Sequence, residues 1–122
     1  MSDVGLYCAK ANNSHLSVLG RTMGETAKGA LTENYIAQAL RANGLKSYYW
    51  ESQTRAEIDF VIQIGKDIVP IEAKSWECVR SQSLEVFRTK YSTPKFIRVS
   101  AKNFGFVNGI KSVPLYAVWC IK

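Results

Sequence analysis

The sequence has few of the side chains on which zinc enzymes and nucleophilic hydrolases depend. His15 is the single histidine among 122 residues, which argues against a histidine-bound zinc site and against a Ser-His-Asp triad. Cys8, Cys78 and Cys120 are widely spaced and form no CxxC pair, so we predict reduced, mostly buried thiols. A GxxxxGK[ST] phosphate loop is also missing. Carboxylates and lysines can support chemistry without any of these groups.

Long hydrophobic runs are missing as well. No run of about 18 apolar residues occurs, which argues against a transmembrane helix. Asp3 comes early and no apolar stretch follows a basic start, so the N-terminus does not look like a signal peptide. We therefore predict a cytoplasmic protein with no membrane partner. A length of 122 residues with 47% apolar side chains predicts one globular domain over residues 1–122.

The hydrophobic periodicity predicts an α/β fold in the order α-β-β-β-α-β. Helices are predicted over 23–43 and 81–91, the first between a Thr22–Glu25 capping box and a stop at Gly44. Strands are predicted over 4–9, 45–50, 55–64, 68–74 and 95–100. Residues 103–109 are predicted to be a loop, and 113–119 a final apolar segment.

Two of the predicted strands are joined by Gly65-Lys66, which suits a two-residue type II′ hairpin loop. Apolar residues alternate along the first of these strands at 58, 60, 62 and 64, so we expect them on one face and the carboxylates of Glu57 and Asp59 on the other. If Ile64 faces Asp67, then Asp59 faces Glu72 and Glu57 faces Lys74. A loop longer by one residue would put Asp59 and Glu72 on opposite faces.

Two carboxylates that face each other across a hairpin are about 5 Å apart at Cβ and repel. Asp59 and Glu72 therefore predict either a protonated carboxyl or a bound cation. Glu33 lies at helical spacing on or beside the apolar stripe of the first helix, where a carboxylate needs a partner or the same cation. Glu57 opposite Lys74 could equally be an ordinary cross-strand ion pair.

The net charge of +6 is concentrated in the last third of the chain. Residues 1–78 hold 8 basic and 9 acidic side chains, whereas residues 79–122 hold 8 basic and 1 acidic. This imbalance predicts a surface for DNA, although a solubilising face is the simpler explanation for any single lysine. The densest basic strip consists of Arg80, Arg88, Lys90, Lys95, Arg98 and Lys102.

A helix Glu followed by a strand Asp and a strand Glu-x-Lys resembles the PD-(D/E)XK nuclease superfamily. The narrower resemblance is to the C-terminal domain of unknown function of prokaryotic AAA-type ATPases, and it covers nearly the whole chain. It rests on Gly29-Ala30-Leu31-Thr32-Glu33-Asn34, Tyr48-Tyr49-Trp50, Ala56-Glu57-Ile58-Asp59-Phe60-Val61, Pro70-Ile71-Glu72-Ala73-Lys74-Ser75, Asn103-Phe104-Gly105-Phe106 and Val113-Pro114-Leu115-Tyr116.

The resemblance implies a restriction-endonuclease-like αβββαβ core, with a mixed central sheet flanked by helices. It implies that Asp59, Glu72 and the Ala73 carbonyl bind Mg²⁺ or Mn²⁺, with Glu33 on a second cation or a metal-bound water. Lys74 would then orient or deprotonate the attacking water, supported by Glu57. No organic cofactor is implied.

The resemblance also implies partners. The chain would be part of a longer ATPase or work with an AAA-type ATPase module in trans, in an assembly that can be oligomeric, and DNA would be its substrate. Two functions follow as alternatives. One is a metal-dependent endodeoxyribonuclease, and the other is a catalytically inactive module of the same fold that binds DNA or protein.

Overall fold

The computed structural model describes residues 25–74 and 82–122, and within these it has two α-helices, six strands and one 3₁₀ helix. The helices are α1 (Glu25–Ala42) and α2 (Gln82–Tyr91), and the 3₁₀ helix is Leu115–Cys120. The strands are β1 (Ser47–Glu51), β2 (Glu57–Ile64), β3 (Asp67–Ala73), β4 (Phe96–Ser100), β5 (Gly105–Val107) and β6 (Ile110–Pro114).

The six strands form one mixed sheet in the order β1-β2-β3-β4-β6-β5. Antiparallel pairs join β1 to β2, β2 to β3 and β5 to β6, whereas β3, β4 and β6 run parallel. The parallel step from β3 to β4 passes through α2, because parallel neighbours require a crossover connection. The predicted α/β class and the central α-β-β-β-α-β order are therefore confirmed.

Each face of the sheet is covered by one of the two helices. The larger core packs α1 and the 3₁₀ helix against the face that presents Ile62, Ile71 and Val99. The smaller core packs Leu84 and Phe87 of α2 against Ile58 and Phe96, together with partly buried Trp50 and Val61. We call these the α1 face and the α2 face.

Two local predictions are confirmed by the backbone. Gly44 has a φ of +74°, and the amides of Gly44 and Leu45 donate to the carbonyls of Arg41 and Leu40, which is a Schellman ending for α1. Gly65 has a φ of +62° and Ile64 pairs with Asp67, as a type II′ loop requires. The predicted Thr22–Glu25 capping box, the strand over 4–9 and residues 75–81 lie outside the described residues.

The prediction of a loop over 103–109 is wrong, because β5 and β6 form a hairpin there. Asn108 and Gly109 both have positive φ, +52° and +78°, and Val107 pairs with Ile110. These are the dihedral signs of a type I′ turn, for which Asn-Gly is the preferred pair. The dipeptide was visible in the sequence, but its flanking strands are short and β5 is exposed throughout.

The predicted alternation along β2 is also wrong at one end, because the strand contains a β-bulge. Tyr48 pairs with Val61 and Trp50 with Ile58, so Asp59 and Phe60 together lie opposite Tyr49. Phe60 packs in the α1-face core while Ile58 packs in the α2-face core. The extra residue reverses the side-chain alternation at this point.

The prediction of mostly buried thiols is wrong for Cys120, which is free and exposed. Its position in the terminal 3₁₀ helix leaves its side chain outside both cores, whereas Ala117 and Val118 of the same helix are buried. Cys8 and Cys78 lie outside the described residues. Within the part of the chain that the structure describes, no helix is both long and apolar enough to cross a membrane.

Candidate metal and phosphodiester site

Asp59 lies in the seam where β2 and β3 stop pairing. The ladder runs from Ile64–Asp67 to Phe60–Ile71, as predicted, and Asp59 follows immediately after the last pair. Its Oδ2 accepts a hydrogen bond from the Ala73 amide at 2.8 Å. The Asp59 carboxylate thus accepts the hydrogen bond that a backbone carbonyl of β2 would accept in a continuous ladder. The bulge at Asp59–Phe60 places the carboxylate within reach of the Ala73 amide.

Glu72 and Lys74 meet on the α2 face. Glu72 alternates with Ile71 and Ala73, which contact the α1-face core, so its side chain points to the other face. Lys74 Nζ lies 3.2 Å from Glu72 Oε1, and the Lys74 amide donates to the Val99 carbonyl of β4 at 2.8 Å. The predicted shared face of Glu72 and Lys74 is therefore observed, with β4 holding the lysine backbone.

Arg98 adds a second cation to Glu72. The two residues are register partners in the parallel β3–β4 pair, and Arg98 Nε lies 3.6 Å from Glu72 Oε2. Glu72 is only 3% exposed, and a buried carboxylate requires such compensation. Arg98 was predicted as a contact for DNA, whereas its guanidinium is directed to the candidate site.

Glu33 lies across the seam from Glu72, in an open groove on the α1 face. The groove has a volume of about 350 Å³ and is lined by Ala30, Glu33, Asn34, Ala37, Tyr49, Asp59 and Phe60. Small side chains of α1 leave this space between the helix and the bulged part of β2. The structure therefore brings Glu33 to the groove beside Asp59, as an exposed side chain.

Glu57 belongs to the same side as Glu33, and its predicted pairing with Lys74 is wrong. Glu57 faces Glu51 on β1 and accepts a hydrogen bond from the Tyr49 hydroxyl, while the ion pair of Lys74 within the described residues is with Glu72. The bulge is the reason, because it turns residue 57 toward α1. Loss of hydration, and then the charge and hydrogen bond of Glu57, raise the pKa of Tyr49.

Burial and neighbouring carboxylates disfavour the ionisation of Asp59 and of Glu33. Burial, followed by the charges of Glu72 and Glu57, raises the pKa of Asp59, against the opposing effects of the Ala73 amide and Lys74. Partial loss of hydration and the charges of Asp59 and Glu57 raise the pKa of Glu33. A bound cation would relieve this repulsion, and the choice between a protonated carboxyl and a bound cation stays a prediction.

The donor set suits a hard divalent cation in chemistry, since carboxylates and a backbone carbonyl are the ligands that Mg²⁺ accepts. The Asp59 carboxylate contacts the amide of Ala73, the residue between Glu72 and Lys74. Within residues 25–74 and 82–122, however, no three side chains of His, Cys, Asp or Glu form a group that could hold a metal ion. The charge of Asp59 raises the pKa of Glu33. Within the described part of the chain, Glu33, Asp59 and Glu72 nevertheless do not form a three-carboxylate metal centre.

The predicted basic strip is distributed over several elements. Arg88 donates from Nη1 to the Asn108 carbonyl, Lys95 pairs with Asp67, and Lys90 lies over the rings of Trp50 and Tyr91. Lys102 is exposed in the segment after β4. With Arg98 on Glu72, two of the six predicted phosphate contacts are already ion-paired within the domain, and Arg80 lies outside the described residues.

The sequence did not predict the contact of Arg98 with Glu72 or the place of Tyr49 in the site. Arg98 could be found only by knowing the β3–β4 register, which depends on a parallel crossover. Tyr49 lines the acidic groove and bonds Glu57, but a run of three aromatic residues in a strand is typical of sheet and core packing. Side chains alternate along β1, so Tyr49 faces the α1 groove while Trp50 packs in the α2-face core.

The sequence was compared with models of known protein families and with curated proteins. A family model described as Domain of unknown function (DUF4143) matches residues 28–121, which include every candidate residue from Glu33 to Lys102. No curated protein matches the sequence.

Proposed function

We propose a function from the premise that the chain belongs to the family described as Domain of unknown function (DUF4143). In this proposal the domain has a restriction-endonuclease-like core and hydrolyses phosphodiester bonds in DNA with Mg²⁺ or Mn²⁺. The observation that carries the proposal is the arrangement of side chains at the seam. The Asp59 carboxylate is 2.8 Å from the amide of Ala73, the residue between the ion-paired Glu72 and Lys74.

Each residue has a role that follows from its position. Asp59, Glu72 and the Ala73 carbonyl would hold the cation, which when bound lowers the pKa of water and polarises the phosphate. Lys74 would orient the attacking water and stabilise negative charge on the phosphate, because it reaches the seam from a strand end tied to β4. Glu33 would bind a water or a further cation from the α1 groove.

Association with an AAA-type ATPase module, in cis or in trans, is part of the same proposal. It rests on the resemblance of the sequence motifs.

The test is isothermal titration calorimetry with Mn²⁺ and with Mg²⁺. We expect binding by the wild type, its loss in Asp59→Ala and in Glu72→Gln, and its retention in Asp67→Asn. Asp67 is a suitable control because it is a β3 carboxylate that pairs with Lys95 at the far end of the hairpin. Cleavage of linear, nicked and branched DNA should then require the metal and be lost in Lys74→Ala.

Absence of metal binding by the wild type would contradict this proposal and favour a second function. In that case the domain is a catalytically inactive module of the same fold that binds DNA or protein. The observation that favours it is the neutralisation of Glu72 by Lys74 and Arg98, because two cations on a buried carboxylate compete with a metal.

A further inference from the structure

An aromatic cluster at the end of α2 has a geometry that core packing does not account for. Tyr91, the last residue of α2, lies against Phe87 at 4.6 Å and against Trp50 at 6.0 Å between ring centroids. Its hydroxyl accepts a hydrogen bond from Trp50 Nε1 at 3.1 Å. Three contacts thus hold the Tyr91 ring in one orientation, and we call Tyr91, Trp50 and Phe87 the aromatic platform.

The platform is open to solvent on one side even though its ring is held in place. Phe87 is buried and Trp50 is half-buried, yet Tyr91 is 48% exposed. Aromatic pairs of this kind contribute about 0.5–1.5 kcal/mol beyond their buried area, so the ring is ordered before any ligand arrives. A ring that is both ordered and exposed can receive another flat ring at little cost in conformational entropy.

A cation accompanies the exposed ring. Lys90 Nζ lies 5.4 Å from the centroid of Tyr91 and 5.9 Å from that of Trp50. The ion pairs found among residues 25–74 and 82–122 involve Lys74, Lys95 and Arg98 and leave Lys90 out. An aromatic face beside an ammonium group is the combination that single-stranded nucleic acid requires, a surface for the base and a charge for its phosphate.

The platform lies on the same face of the sheet as Glu72 and Lys74. Trp50 packs in the α2-face core and pairs with Ile58, the residue before Asp59. β1 and β3 flank β2, so the strand that carries Trp50 is about two strand spacings, roughly 10 Å, from the strand that carries Glu72. A short stretch of extended single strand could therefore contact both.

We propose that the aromatic platform stacks an unpaired base of DNA next to the phosphate held at the seam, with Lys90 on the phosphate of the stacked nucleotide. This inference deepens the proposed function and rests on it, because it assigns a single-stranded or locally unpaired substrate to the same site. Tyr116 is the natural comparison. It is 72% exposed and contacts Phe104 at 6.4 Å, but it belongs to the 3₁₀ helix rather than to the α2 face.

The test is fluorescence anisotropy with a dye-labelled oligothymidine and with a duplex, in EDTA so that neither metal binding nor cleavage contributes. The wild type should bind the single strand more tightly than the duplex. Tyr91→Ala should weaken single-strand binding about fivefold or more, the usual effect of losing one stacked base, and should change duplex binding little. Tyr116→Ala should stay within about twofold of the wild type.

Two conservative variants keep the proposal falsifiable if Tyr91→Ala unfolds. Tyr91→Phe retains the ring and should bind the single strand like the wild type, with quenching of a 2-aminopurine base in the oligonucleotide. Lys90→Gln should weaken single-strand binding while the quenching persists at saturation. Equal affinity of the wild type for single strand and duplex, or absence of quenching in the wild type and in Tyr91→Phe, would overturn the proposal.

The same data separate the two proposals. Single-strand binding that depends on Tyr91, in a protein that binds no Mg²⁺ or Mn²⁺, would retain the platform and remove the hydrolytic function. Metal-dependent cleavage that is unaffected by Tyr91→Ala, with equal single-strand affinity, would retain the function and remove the platform. Preferential capture of a protein partner by the platform, with no single-strand binding, would also overturn it.

Discussion

At the scale of single residues, Asp59 and Glu72 show how two carboxylates in one seam can differ. Glu72 is nearly inaccessible and is compensated by Lys74 and Arg98. Asp59 has the Ala73 amide as its hydrogen-bond donor and is exposed to the repulsion of Glu72 and Glu57. Among the described residues Asp59 has no ion pair of the kind that Glu72 has, and we expect it to respond to pH and to metal.

The first prediction concerns Asp59→Asn in the absence of metal. Folding raises the pKa of Asp59 above its ordinary value of 3.8, so the folded state favours the protonated carboxyl. Its contribution to stability is present below pH 3.8 and is lost as the pH rises through the higher folded pKa. At pH 7 we therefore expect Asp59→Asn to be more stable than the wild type, by on the order of 1 kcal/mol.

Urea unfolding at several pH values measures this difference, which should shrink toward acid pH. The amide oxygen of the variant can still accept from the Ala73 amide, so the hydrogen bond at the seam is retained. Saturating Mg²⁺ should reverse the order, because the wild type gains the free energy of metal binding and the variant does not. Equal stability of the two proteins at pH 7 without metal would contradict the prediction.

At the scale of elements, the strands that alternate regularly were predictable and the irregular ones were not. The Gly65-Lys66 hairpin and its register followed from turn chemistry, and so did the α1 ending at Gly44. The bulge at Asp59–Phe60 has no strong local signal, because the apolar residues at 58, 60, 62 and 64 suit an unbroken strand. Tertiary packing overrides this pattern, since Ile58 is needed in the core beneath α2.

The second prediction concerns the β5–β6 turn. Asn108 has a φ of +52°, a conformation that glycine and asparagine tolerate and β-branched residues do not. Asn108→Gly should therefore leave stability nearly unchanged, whereas Asn108→Val should cost roughly 1–2 kcal/mol. Both variants keep the backbone carbonyl that accepts from Arg88, so the comparison isolates the turn. Thermal unfolding of Asn108→Gly and Asn108→Val measures the difference in stability. Equal melting temperatures would contradict the assignment of a type I′ turn.

At the scale of the whole molecule, positive charge is concentrated in the last part of the chain. Some of these basic residues form ion pairs within the domain. Two of the six basic residues of the strip neutralise carboxylates, Lys95 on Asp67 and Arg98 on Glu72. The sequence could identify the excess of positive charge, because that depends on counting. It could not identify which basic side chains are left free to contact DNA, because that depends on which residues lie opposite them in the folded sheet.

The third prediction is the salt dependence of DNA binding. If all six basic residues contacted phosphates, the logarithm of the single-strand binding constant would fall with the logarithm of salt concentration with a slope of about −4. With Lys95 and Arg98 engaged internally, four contacts remain and the expected slope is about −3. Anisotropy titrations over a series of NaCl concentrations measure the slope. Arg98→Gln should leave it unchanged, whereas Lys90→Gln should make it shallower.

The position of Asp59 in the seam also couples ligand binding on one face of the sheet to ligand binding on the other. Its carboxylate is affected by Glu57 from the α1 side and by Glu72 and Lys74 from the α2 side, and it in turn affects Glu33. A cation that binds in the α1 groove must therefore alter the affinity of the α2 face for its own ligand, and the reverse effect must be equal in size. This reciprocity is electrostatic, so it needs no movement of the backbone between the two layers.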